Sequence, residues 1–364
     1  MKLTLAGEEL HLPTMGLALA MGTAGGFAAK AVGMPLPMLL GSLIVVGVAA
    51  VAGLQPTGRV IGIPMPVRTA FIPVIGVSIG TAITPGIFGD IGRWWPSFAT
   101  LLIFVPLAHL LGYYLSRLGG LDRPTAYYGA MPGGFIESIS LGDKAGGDPA
   151  YLTMLQFLRL ILTIVLIPIG FSLLTGEPVG SGAGVVIGGA ENALSPRDWV
   201  ILILAGALGA ILGRRIGLPA AVVTGPFLAS GIVHYTGWVE GGPPAWLIEL
   251  TQLVIGSSLG ARFAGRSPRI LLTGLRIAAL NVGAMLCVAG LAAWALGGIV
   301  GERWEAVFLA FAPGGLAEMS LVALSLEISV VYVTLHHILR IILALTFAKA
   351  FARRFLEPPD RPAG

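Results

Sequence analysis

The residues with most chemistry to offer sit in two matching stretches. Met131-Pro132-Gly133-Gly134-Phe135-Ile136-Glu137-Ser138 recurs, 181 positions on, as Ala312-Pro313-Gly314-Gly315-Leu316-Ala317-Glu318-Met319. Each lies inside an otherwise apolar run. Proline lacks an N–H and clashes with the preceding turn, and glycine lets the chain leave helical geometry. Both runs are therefore expected to open the backbone. In lipid, open backbone is tolerated only where protein or a water-filled cavity surrounds it. A carboxylate just after the opening could bind a cation or carry a proton, and it gains from the exposed N–H groups. An intramembrane acid is a functional candidate by default. The plainer alternative is that Glu137 and Glu318 cap their own half-helices or pair with an arginine.

Arg159 and Arg340 come next, each about three turns into the last apolar segment of its half. A guanidinium stays charged, so it needs a carboxylate, a carbonyl or water. An ion pair with Glu137 or Glu318 and contact with an anionic solute group both remain open. Gln156, His336 and His337 lie on the turn before each arginine and extend a polar network toward it. Paired breaks in the two halves of a membrane protein point to a transporter's binding site. The candidate solute- or ion-binding set is therefore Pro132, Gly133, Gly134, Glu137, Ser138, Gln156 and Arg159, with Pro313, Gly314, Gly315, Glu318, His336, His337 and Arg340. No catalytic residue, cofactor or metal is expected. Adjacent histidines on a helix face different ways, and no third ligand has suitable spacing.

The elements that must position these residues are membrane spans. Of 364 residues, 55% are hydrophobic and 11% charged, and the mean hydropathy is +0.89. A soluble chain would carry roughly a quarter charged residues. Net charge is +4, with the basic residues scattered between apolar segments, which fits orientation in a bilayer rather than nucleic-acid binding. The start lacks the pattern of a cleaved leader, so the first segment reads as a retained span. The lone Cys287 reads as a packed thiol.

Apolar segments fall at about 14–32, 35–53, 67–88, 96–117, 126–142 and 150–174, then at 198–213, 218–236, 245–264, 270–298, 304–325 and 329–351. The two sets answer each other. Gly33-Met34-Pro35 matches Gly217-Leu218-Pro219, and Ile75 to Gly80 matches Ile255 to Gly260. The Pro-Gly-Gly-x-x-Glu stretches come after these, then Tyr151 and Arg159 against Tyr332 and Arg340. A long fixed period with matched punctuation means duplication. The expected division is repeat 1 at 1–175, a linker at 176–196, repeat 2 at 197–352 and a tail at 353–364. Gly76, Ser78, Gly80, Gly256, Ser257, Ser258 and Gly260 read as helix-packing faces, with a lining of the solute path as the alternative. Asn281 is expected to bond across helices.

Lys and Arg mark the cytoplasmic side. Lys2, Arg59, Arg68, Arg117 and Arg123 in the first half, and Arg214, Arg215, Arg262, Arg266, Arg269, Lys349, Arg353 and Arg354 in the second, all fall inside if one segment per half fails to cross. The Pro-Gly-Gly segment is the candidate. Each half then makes an odd number of crossings and the repeats are inverted. Both termini are cytoplasmic, and Glu177 and Glu191 lie outside. The fold class is thus an all-α polytopic membrane protein of two inverted repeats, about six hydrophobic segments each, with one broken or re-entrant segment per repeat.

Ala130 to Glu137, Gly146-Gly147-Asp148-Pro149 and Arg159, with Ala312 to Glu318 and Arg340, are the features of a known family. The chain resembles the AbrB family of duplicated bacterial inner-membrane proteins, often labelled putative ammonia monooxygenase. More distantly it is similar to the superfamily of cation/proton antiporters and anion symporters, where two broken elements cross at the substrate site. The paired aspartates of many sodium/proton antiporters are absent here, which counts against sodium/proton exchange. The resemblance implies a secondary transporter of a small solute working by alternating access, with protons as the candidate coupling ion. A membrane-embedded sensor or regulator is the alternative. Ammonia oxidation is disfavoured, because an oxygenase needs clustered ligands and the five histidines are dispersed but for one adjacent pair. The partners implied are a small-molecule or ion substrate and the lipid bilayer. A homodimer in the membrane plane is compatible with such folds, and nucleic acid is not expected. A reporter fused after Phe355 should score cytoplasmic; a periplasmic score would overturn this threading.

Overall fold

Helix signals and breakers alternate along the chain, and the observed elements track them. A computed structural model describes residues 3–5, 8–176, 194–265 and 268–356. Lys2, Glu177, Glu191, Arg266, most of the linker and the tail beyond 356 lie outside the described residues. Two short strands, β1 (Leu3–Leu5) and β2 (Glu8–Leu10), pair antiparallel at the start. The first half then runs α1 (Leu12–Ala31), α2 (Pro37–Val51), α3 (Met65–Gly80), α4 (Ile87–Arg93), α5 (Trp95–Leu118), α6 (Arg123–Gly129), α7 (Phe135–Lys144) and α8 (Pro149–Thr175). The second runs α9 (Pro196–Arg215), α10 (Ala221–Tyr235), α11 (Ala245–Gly260), α12 (Pro268–Leu296), α13 (Trp304–Phe311), α14 (Leu316–Ser325) and α15 (Val330–Leu356).

The duplication is visible in the lengths. α1 and α9 both have 20 residues, α2 and α10 both 15, α3 and α11 both 16, α7 and α14 both 10, and α8 and α15 both 27. The expected fifth and eleventh segments are each two helices around the Pro-Gly-Gly run: α6 then α7, and α13 then α14. Among the described residues, six helices are long and apolar enough to cross a membrane: α1, α5, α8, α9, α12 and α15. α2, α3 and α10 are apolar but shorter than the segments read from hydropathy, and a left-handed glycine follows two of them, Gly53 after α2 and Gly237 after α10. Gly53, just after α2, has a φ of +68°, which a glycine adopts without strain. The protein is thus an all-helical polytopic membrane protein but for the terminal hairpin.

The chain forms two compact units, each drawing on both halves. Unit 1 comprises residues 1–87, 164–266 and 317–331; unit 2 comprises 88–163, 267–316 and 332–364. Unit 1 shows why small residues recur where they do. α1 crosses α2 with Gly25 against Gly41, and α9 crosses α10 with Gly209 against Gly225. α3 then packs Gly76 on Val223 and Gly80 on Ser230 of α10, while α11 packs Gly256 on Leu39 and Gly260 on Leu43 of α2. The third helix of each half therefore lies on the second helix of the other. Close approach of this kind is how helices associate in lipid, where hydrophobicity alone gives no drive.

In unit 2, α12 packs along α5, and Asn281 donates to the Ser116 hydroxyl at 3.0 Å. Cys287 differs from the packed thiol expected: it is exposed on α12. In a membrane span an apolar neighbourhood in sequence includes the lipid-facing side, so apolar flanks do not imply burial. Gly225→Ala should lower the unfolding midpoint in detergent, since the added methyl collides with the Gly209 carbonyl; overpacking costs about 1–3 kcal/mol. Gly16→Ala, which meets nothing within 4 Å, should leave it unchanged.

Candidate functional site

A helix that stops leaves its last carbonyls without partners, and in lipid no water meets them. α6 stops at Gly129 and α7 restarts at Phe135, with Gly134 in the left-handed conformation at φ 72°. Side chains take up the freed carbonyls. Gln156 Nε2 donates to the Tyr128 and Gly129 carbonyls at 3.1 Å each. Ser138 on α7 donates to the Tyr128 carbonyl at 2.5 Å and accepts from Gln156 Nε2 at 2.7 Å. Arg159 Nη1 donates to the Met131 carbonyl. One turn on, the Thr163 hydroxyl donates to the Arg159 main-chain carbonyl at 2.5 Å.

The second break repeats the scheme. Arg340 Nη1 donates to the Ala312 carbonyl and Nη2 to the Gly314 carbonyl at 2.8 Å. His337 stands where Gln156 stands. Its Nε2 donates to the Leu309 carbonyl at 3.0 Å, and its Nδ1 accepts from Arg340 Nη2 at 3.0 Å. Arginine can only donate, so this pairing places the ring proton on Nε2. Both arginines therefore grip backbone at the breaks, rather than Glu137 or Glu318. Both are buried, with relative exposures of 5% for Arg159 and 1% for Arg340.

The breaks converge inside unit 2. A side-chain carbon on Gly133 would lie 3.2 Å from the Ile341 Cα, and one on Gly134 3.2 Å from Leu345. Arg340, on the same stretch of α15, holds the other break. Arg159 and Arg340 sit in the third turn of their helices, so roughly 15 Å from the start at 1.5 Å per residue. That is about half the ~30 Å hydrocarbon thickness.

The remaining candidates separate. Pro132, Gly133, Gly134 and Ser138 are buried at the first break, and Pro313 and Gly314 at the second, with Gly315 half-buried. His336 belongs to another network: Nδ1 donates to the Tyr332 carbonyl at 2.7 Å, Nε2 meets Ser97 Oγ at 2.6 Å, and Phe98 stacks on the ring. Glu137 is exposed and, among the described residues, has no hydrogen bond or ion pair. Glu318 is buried in unit 1 and accepts from Arg68 Nη2 at 3.2 Å. Sequence reasoning used Arg68 only as an orientation charge. The available signal was a mismatch between the repeats, since Ile248 occupies the corresponding place on α11. Among the described residues, no three His, Cys, Asp or Glu side chains converge to hold a metal. A cavity of about 250 Å³ in unit 1, lined by Pro73, Val77, Trp199, Leu202 and Gly206, contains none of the candidates.

Fold and site together define a multi-pass helical membrane protein with a duplicated, clamped helix break. The family model described as "Transition state regulatory protein AbrB" matches residues 48–356. The chain belongs to this AbrB family. It is 26% identical over 357 residues to "Uncharacterized protein YhjN" of Bacillus subtilis (strain 168), covering 92% of this chain and 91% of that one. It is 24% identical over 279 residues to "Putative regulator AbrB" of Escherichia coli (strain K12), covering 76% and 78%.

Arg68→Gln should strand a buried carboxylate, and breaking one side of such a pair costs about 3–5 kcal/mol. The double variant Arg68→Gln with Glu318→Gln should recover much of that loss. Thermal unfolding of the two singles and the double, read as a cycle, checks it.

Proposed function

We propose that the protein is a secondary transporter of a small solute, working by alternating access, with its site at the two Pro-Gly-Gly-x-x-Glu breaks. One observation carries this reading. Two helix breaks, each followed in the sequence by an acid, lie against one stretch of α15. Irregular backbone at membrane depth is sustained by protein or by a cavity, and paired discontinuous helices are where transporters bind cargo and coupling ions. Glu137, unpaired, is the residue for the coupling ion or a cationic solute group. Glu318, paired with Arg68, and Arg340 hold the frame.

The reciprocal packing of α3 on α10 and α11 on α2 supports inverted repeats, because a two-fold relation exchanges contacts in this way. Orientation has support within unit 1. Trp199 opens α9, Trp238 lies just past α10 and Trp246 opens α11, all at one end of these helices. Arg214, Arg215 and Arg262 mark the other. Arginine at one end of these helices and tryptophan at the other support a reading with the arginine end, and both termini, on the cytoplasmic side of a bacterial inner membrane.

A regulatory role is named for one relative, and the family description names it too. The described connections between helices are short here and offer little surface for a soluble partner. An oxygenase role lacks convergent ligands among the described residues. Proteoliposomes carrying the protein should show flux of at least one solute in a screen run with and without a pH gradient. Glu137→Gln should abolish that flux while leaving the unfolding midpoint near wild type. Flux at the wild-type rate in this variant would overturn the reading.

A further inference from the structure

The two copies of the break share a backbone scheme but not its completeness. In the second copy Arg340 engages both terminal nitrogens: Nη1 on Ala312, Nη2 on Gly314 and His337. In the first, the hydrogen bond Arg159 makes through its side chain among the described residues is that of Nη1 to the Met131 carbonyl. The counterpart bonds, to the Gly133 carbonyl and to Gln156, are not made. Gln156 Oε1 is buried without a partner. Arg159 Nε is buried without a partner, as Arg340 Nε is in the second copy, so the difference lies at Nη2: that of Arg159 has no partner among the described residues and is not sealed off. Nε and Nη2 form one edge of the guanidinium. That edge presents two parallel N–H bonds and matches a carboxylate bidentately.

Charge points the same way. Arg159 and Arg340 are both buried in unit 2. Among the described residues neither forms an ion pair with a carboxylate; the acid of the second break is already engaged by Arg68 in unit 1. A buried charge without a counter-charge is costly, so an anion that reached this edge would gain both hydrogen bonds and neutralisation. The restarting helices differ in keeping. Each carries two serines, but α7 has three charged residues, Glu137, Asp143 and Lys144, whereas α14 has only Glu318.

The geometry points to the first break as a binding site for a small carboxylate anion, held side-on by Nε and Nη2 of Arg159, with the second break as a closed structural copy. This deepens the transporter reading, and it rests on that reading only for calling the anion cargo. A single planar fork suits a monocarboxylate. In the described conformation Nε is occluded, so the ligand enters by the Nη2 side.

The test is thermal unfolding of the purified full chain against sodium acetate, with sodium chloride at equal ionic strength and tetramethylammonium chloride as controls. Acetate should raise the midpoint saturably, and the two controls should not. Arg159→Lys keeps the charge and loses the fork, so its apparent affinity should fall at least tenfold, while Arg93→Lys, at an exposed arginine outside the site, should keep the acetate response. An equal loss in both variants, no response in wild type, or a response to tetramethylammonium in place of acetate would overturn the assignment. Should Arg159→Lys fail to fold, crystals of wild type soaked with 4-bromobenzoate decide. A bromine peak beside Arg159 supports the site, and its absence there sinks it. Acetate binding without flux of any solute would defeat the transporter reading alone; flux of a cation without acetate binding would defeat this assignment alone.

Discussion

A carbonyl released inside a bilayer must find a donor, and the arrangement of unit 2 stems from that. An unsatisfied backbone group in hydrocarbon costs several kcal/mol, so a Pro-Gly-Gly break cannot stand by itself. It stands here because a long helix beside each break supplies donors at the right height. Arg159 reaches back to the residue 28 positions earlier, and Arg340 does the same. Gln156 and His337 likewise each reach a carbonyl 28 positions back. Arginine suits the task, since five N–H groups on one plane can serve several carbonyls and no ordinary pH removes them. The same choice puts two buried cations in the core of the unit, and that excess of positive charge shapes the chemistry of the site.

Much of this was legible in the residues. Pro132-Gly133-Gly134 and Pro313-Gly314-Gly315 announce a break because no helix passes through them unaltered. The recurrence of matched punctuation announces duplication, and the helix lengths agree with it. The need of Arg159 and Arg340 for partners was also plain. Their actual partners were not, since a guanidinium accepts a carbonyl or a carboxylate equally and only three-dimensional placement chooses. The pairing of Arg68 with Glu318 links residues 250 positions apart, beyond any local pattern. Cys287 was misplaced because hydropathy cannot distinguish a lipid-facing position from a packed one. The exchange of third helices between halves was hidden for a related reason: Gly76 and Gly256 declare a close contact without saying with which helix.

The two copies show which parts of a duplicated element are fixed by the bilayer and which are free to change. Each must satisfy its broken backbone, and each keeps an arginine and a donor one turn before it. The helix that restarts beyond the break carries no such obligation. α14 buries its glutamate and matches it with a cation from α3, while α7 leaves Glu137 unmatched and adds further polar residues. A pair of identical open sites would place two unneutralised acids and two unneutralised arginines at one depth. Closing one copy removes half of that burden and leaves the other with free donors and an unpaired carboxylate. On the proposed transporter reading, an asymmetric pair of this kind lets a charged solute load without first dismantling the bonds that keep its own backbone dry. That is the condition a carrier must meet if loading its cargo is not to unfold the helix that holds it.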